Sequence, residues 1–238
     1  AGYVTNDTTL SSIVLVLTNG PRALTWAGND TSNPTFWDLN ITTNWLFGAI
    51  PSVFSPFDSV SFDDTGSASV VNLQGALTPS IVSVNAAKNY TFAGTGFISG
   101  VFDSLVKQGS GSLTLAENNG GGGDNFGGGV NVGGGTVVFA ADNSITGGTT
   151  ISAGTTVQVG TNGGSGNLPA GIVALDGNLI FNRGADATVA NTISGSASGA
   201  ITKSDTNVLT LSGANSFAAN LTVSVGTLRT GNGSALGT

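Results

Sequence analysis

The chain has 238 residues, of which 39% are hydrophobic and only 8% are charged, and its net charge at pH 7 is −7. Six scattered basic residues argue against a nucleic-acid partner, since a phosphate-binding surface needs clustered Lys and Arg. The absence of Cys and His excludes disulfides, thiolate or imidazole metal ligands, and cysteine or histidine catalysis. We therefore expect a folded domain with no cofactor and no catalytic site.

The first segment, residues 1–20, contains a strong β-forming run, "TLSSIVLVLTN". Its apolar stretch is far shorter than the about 20 residues that span a bilayer, so no membrane insertion is expected. An amino terminus that begins "AGYVT" without Met suggests export followed by signal cleavage. We predict that this strand either joins a neighbouring subunit or folds back onto its own chain.

The second segment, residues 21–104, holds all three tryptophans, Trp26, Trp37 and Trp45, and most of the phenylalanines. It alternates less regularly than the rest, so we predict an irregular first section or cap. The competing interpretation is an exposed patch on which the tryptophans face a ligand. Asp58, Asp63 and Asp64 form its densest acidic cluster, for which turn formation is favoured over catalysis or cation binding.

The third segment, residues 105–238, consists of short alternating strands bounded by Gly, Asn or Asp. Gly-Thr steps recur at 135–136, 154–155 and 226–227, and "VKQGSGSLTL" and "TKSDTNVLTL" place Lys107 and Lys203 in equivalent positions. Internal periods near 20 residues predict a β-solenoid with glycine at its corners. The tract "GGGGDNFGGG", with Asp124, lacks the tandem copies of a calcium-binding repeat and is interpreted as a corner.

The strings "LTLSGANSF" (209–217) and "GGTTISAGTTVQVG" (147–160) resemble the autotransporter-associated β-strand repeat, or passenger-associated transport repeat. "GTLRTGNGSALGT" (226–238) resembles the segment that leads into the next coil, and the text from residue 24 onward resembles the section preceding such repeats. The resemblance implies an all-β, right-handed parallel β-helix outside the bacterial cell, as an adhesin stalk or surface fibre. We expect a processed or independently secreted subunit.

These observations favour a non-enzymatic subunit of an extracellular filament or surface fibre that polymerises head to tail by β-strand addition. The alternative function is an adhesin or carbohydrate-binding module whose partners are host-surface or extracellular-matrix glycans. An enzyme acting on polysaccharide is a third, weaker alternative. The predicted assembly interface comprises Leu10, Ile13, Val14, Leu15, Val16, Leu17, Leu228 and Leu236.

Overall fold

The computed structural model describes residues 2–7, 12–17, 20–100, 103–117 and 123–237, with the backbone alone for 2–7 and 12–17. All regular elements in these ranges are β-strands, as the high glycine content and the alternating pattern predict. They contain no helix long and apolar enough to cross a membrane.

An antiparallel hairpin forms the first element, with β1 (Gly2–Asp7) paired to β2 (Ser12–Leu17). Gly2 lies opposite Leu17 and Asp7 opposite Ser12. These strands form a two-stranded sheet of their own, separate from the other sheets. The apolar segment predicted from residues 9–19 is thus a strand over Ser12–Leu17.

The rest of the described chain winds through three faces. The first face stacks nine strands in parallel: β3 (Ala23–Trp26), β7 (Ser59–Phe62), β10 (Ile81–Asn85), β13 (Ser104–Gln108), β16 (Gly129–Val132), β18 (Thr149–Ile151), β20 (Val173–Leu175), β23 (Ile193–Gly195) and β26 (Ser216–Phe217). Two antiparallel strands, β5 (Trp45–Phe47) and β6 (Ile50–Ser52), extend this sheet beyond β3.

The second and third faces are also parallel stacks. The second contains β4 (Phe36–Trp37), β8 (Val70–Leu73), β11 (Tyr90–Gly94), β14 (Ser112–Leu115), β17 (Thr136–Phe139), β19 (Thr156–Val159), β21 (Asn178–Phe181), β24 (Ala200–Lys203) and β27 (Asn220–Val223). The third contains two groups, first β9 (Ala76–Leu77), β12 (Phe97–Gly100) and β15 (Asn125–Phe126), then β22 (Ala187–Val189), β25 (Val208–Leu211) and β28 (Thr227–Thr230).

The register confirms a parallel β-solenoid whose successive coils differ in length. Leu105 pairs with Val130, 25 residues on, whereas Val130 pairs with Thr149, only 19 residues on. Inward side chains stack in ladders such as Val82, Leu105 and Val130, each at most 2% exposed. Full burial of such a side chain contributes about 1.5–3 kcal/mol, so the ladders are the main source of stability.

Glycines at the Gly-Thr steps turn the corners, as the sequence predicts. Gly135, Gly154 and Gly226 have φ values of 64°, 78° and 79°, a region that side chains with a Cβ disfavour. The register pairs Thr136 with Thr156 rather than with Thr155, so the first two steps are offset by one residue. The offset arises at Thr155, whose buried hydroxyl donates to the Ser152 carbonyl, at 2.7 Å, inside the corner.

Candidate functional site

The acidic cluster predicted from the sequence serves three separate turns. Asp58 is buried and forms a 2.6 Å ion pair with Arg22. Asp63 accepts hydrogen bonds from the N–H and hydroxyl two residues on, and Asp64 accepts backbone N–H bonds from Lys88 and its neighbour. These backbone bonds, chiefly that of Lys88, lower the pKa of Asp64. The structured ranges hold no group of three acidic, His or Cys side chains able to bind a metal.

A pair of buried carboxyl groups, Glu117 and Asp124, flanks part of the glycine tract, of which residues 118–122 lie outside the described residues. One oxygen of Asp124 accepts the backbone N–H of Ile98 at 2.8 Å. The Oε1 of Glu117 and the Oδ2 of Asp124 have no hydrogen-bond partner. The sequence analysis missed this pair; the only signal was an acid at each side of the glycines.

Burial and the adjacent Asp124 carboxylate raise the pKa of Glu117 well above its usual value. Burial likewise raises the pKa of Asp124, to about 6. Two adjacent buried carboxyl groups resist simultaneous ionisation because like charges repel in a poorly solvated site. The pair therefore retains a proton to a higher pH than ordinary carboxyl groups do.

Glu117→Gln is expected to stabilise the protein at pH 8 but much less at pH 4. A carboxyl group whose pKa is higher in the folded state binds more protons when folded, so stability falls as pH rises above its unfolded pKa. Each unit of raised pKa corresponds to about 1.4 kcal/mol, and the variant should escape about 1–3 kcal/mol of this loss. Urea unfolding at the two pH values measures the difference.

The control for this variant is Asp176→Asn, which removes an exposed carboxylate whose pKa is lowered by hydrogen bonds from Ser196. It should give no gain in stability at pH 8. An identical pH dependence for Glu117→Gln and the unmodified protein would contradict a protonated, buried pair.

Two buried lysines, Lys107 and Lys203, close corners of the solenoid. The Nζ of Lys107 donates to the carbonyls of Gln108, Gly109 and Gly134 at 2.6, 2.9 and 3.2 Å. That of Lys203 donates to the backbone carbonyl and Oδ1 of Asp205, both at 2.7 Å. Each lysine is at most 1% exposed, so its charge depends on these oxygen atoms.

Each of these lysines stands at a core position that its neighbours in adjacent coils fill with apolar side chains. Lys107 lies between Val84 and Val132, with which it is in register. A Cβ on Gly135, in the following coil, would lie 2.9 Å from the Lys107 Nζ. The aliphatic stem thus continues the hydrophobic ladder, while the ammonium group requires glycine above it.

The three tryptophans predicted as ligand-facing are core residues instead. Trp26, Trp37 and Trp45 are each 0% exposed. The ring centroid of Trp45 lies 5.0 Å from that of Trp26 and 5.2 Å from that of Trp37. These rings pack edge-on inside the first coils because the segment that precedes β7 folds over the end of the core. The prediction of an aromatic binding surface at these residues is wrong.

The predicted assembly residues fall into two groups in the structure. Leu228 is partly buried in β28, and Leu236 is 51% exposed beyond it. Leu10 lies outside the described residues. The remaining five lie in β2, which pairs with β1: Ile13, Val14, Leu15, Val16 and Leu17.

The model of the passenger-associated-transport-repeat family matches residues 105–138, 130–159 and 201–229. The solenoid contains passenger-associated-transport repeats. This finding confirms the resemblance seen in the sequence and implies a secreted or cell-surface location. No curated protein and no solved structure matches the chain.

The repeats occupy different faces of the solenoid. In the first matched segment, Lys107 ends a strand region on the first face, and the Gly135 corner leads from the first face to the second. In the third, Lys203 lies on the second face, and the Gly226 corner leads from the second face to the third. The repeat therefore specifies a strand, a corner and a strand, not one particular corner.

Proposed function

We propose that this chain is a non-enzymatic structural subunit of a bacterial surface fibre or filament, and that copies join head to tail by β-strand addition. The support is the distribution of exposed large apolar side chains. Among the described residues, seven of eleven belong to the segment over the first coils or to the last coil: Leu39, Ile41, Phe47, Ile50, Val223, Val225 and Leu236. Apolar surface concentrated in this way favours protein contacts.

The two ends differ in how they could accept a strand. At the first end, β6 is the outer strand and contains Pro51, which has no N–H to donate. At the other end, β26, β27 and β28 each pair with a strand on one side only. We assign the accepting edge to β26–β28, where Val223 is 41% exposed.

The donor in this proposal is the β1–β2 hairpin. Because β2 is already paired with β1 along its length, it would add through its other edge, carrying β1 with it. This refines the sequence-based hypothesis, which treated residues 1–20 as a single donor strand. A contact between unlike surfaces of two copies extends into an open filament unless it closes a ring.

Analytical ultracentrifugation of the full chain tests this assembly. Val223→Lys and removal of residues 1–20 should each raise the dissociation constant by about tenfold or more, because the lysine is desolvated at the joint and the deletion removes the donor. Ile172→Lys is the matched control, since Ile172 is 63% exposed in the middle of the solenoid.

Circular dichroism should show that all three variants retain the β-structure of the parent. A full chain that stays monomeric at high concentration would overturn the proposal. So would a control that weakens association as much as Val223→Lys does. Glycan binding by a monomer would instead favour the adhesin alternative, with a surface other than the three buried tryptophans.

A further inference from the structure

A cavity of about 290 Å³ opens beside β22, on the third face. Its wall is largely apolar, and its volume is near the lower limit, about 300 Å³, of ordinary small-molecule sites. The bulkier apolar side chains that line it are Val159, Leu168, Phe181, Val189 and Leu209.

The cavity arises from two local features of the coils. The stretch from residue 160 to 172 carries no strand on the third face, so this part of the wall is a loop. In the following coil, β22 supplies Ala187, which stands in register with Leu209 of β25. An alanine at a position where the next coil has leucine leaves space between the loop and the sheet.

One cation, Arg183, lies on the wall of this cavity. Its Nε and Nη1 donate to the carbonyls of Gly164 and Gly166, each at 3.0 Å, which fixes the guanidinium at the loop. No described carboxylate lies within ion-pair distance of its side chain. Asp205 also lines the cavity, but its carboxylate is paired with Lys203 at 2.7 Å. The wall therefore carries an excess positive charge.

We propose that this cavity binds a small organic carboxylate with an apolar body. The apolar part packs against Phe181, Val189 and Leu209, and the carboxylate pairs with the guanidinium of Arg183. Such charge-assisted pairs are roughly twice as strong as neutral hydrogen bonds, and the half-buried setting screens them less than open solvent does. This binding activity is independent of end-to-end assembly.

Isothermal titration calorimetry of the full chain with two matched probes tests the proposal. We expect 3-phenylpropionate to bind about tenfold more tightly than the neutral 3-phenylpropanamide, because the two differ mainly in charge. Equal affinities would overturn the role of Arg183. Absence of binding by both probes would overturn the site altogether.

Two substitutions locate the binding. Ala187→Leu should fill the cavity and weaken 3-phenylpropionate binding by about tenfold or more, without lowering the melting temperature. Ala187→Val is a smaller filler if the leucine variant fails to fold. Arg183→Gln should reduce the affinity for the acid to that for the amide. Unchanged affinity in a folded Ala187 variant would show that the probe binds elsewhere and would contradict the proposal.

Discussion

Replacement of Lys203 by methionine is expected to destabilise the solenoid by about 3–5 kcal/mol. Methionine preserves most of the aliphatic stem in the ladder between Phe181 and Val223. It removes the ammonium group, however, and leaves the buried Asp205 carboxylate without its ion-pair partner. An uncompensated charge in the core costs more than the loss of one neutral hydrogen bond. Equilibrium urea unfolding measures the change in the free energy of unfolding.

Three comparisons isolate this cause. Lys107→Met should cost less, about 1.5–3 kcal/mol, because it leaves three carbonyl acceptors but no carboxylate unpaired. Arg229→Met, at an exposed position of β28, should change stability by less than about 0.5 kcal/mol. The double variant Lys203→Met/Asp205→Asn should recover part of the loss. A Lys203→Met variant as stable as the parent would show that the corner lysine does not support the fold.

Trp45→Ala is expected to cost about 3–5 kcal/mol, the range for removing a large aromatic side chain from a core. Trp45 is 0% exposed and packs against Trp26, Trp37 and Phe62 with ring centroids 5.0–5.4 Å apart. Its removal leaves a cavity under the segment that covers the first coils. The measured quantity is again the free energy of unfolding in urea.

Phe47→Ala is the control for this substitution, because Phe47 lies in the same strand, β5, but is 49% exposed. Its cost should be less than about 1 kcal/mol. Equal losses from the two substitutions would contradict the burial of Trp45. Retained stability in Trp45→Ala would return that indole to the candidates for a ligand surface.

The alternation of short apolar strands with glycines determines the fold so strongly that the sequence predicts it. Inward positions every second residue and corners at Gly135, Gly154 and Gly226 are local features, and each is visible within ten residues. The equivalence of Lys107 and Lys203 was also visible, although its meaning was not. A lysine is ordinarily a surface residue, and only the register shows that both occupy core ladders.

The placement of the aromatic residues and of the buried carboxyl groups depends on contacts between distant parts of the chain. Irregular spacing around Trp37 and Trp45 gives no strand period, so the sequence alone could not decide between core and surface. Glu117 meets Asp124 across the glycine tract, and Asp124 in turn accepts a hydrogen bond from Ile98 in another coil. Coil lengths that vary from 19 to 25 residues hide such neighbours from a fixed sequence period.

Electron microscopy of the purified full chain at neutral pH tests the central claim, that this solenoid is a structural subunit joined end to end. Nine stacked strands at about 4.8 Å spacing give a solenoid about 40 Å long, so filaments should show an axial repeat slightly longer than this. The same sample lacking residues 1–20 should show single rods. Single rods from the full chain, or filaments that persist without residues 1–20, would contradict the proposed joint.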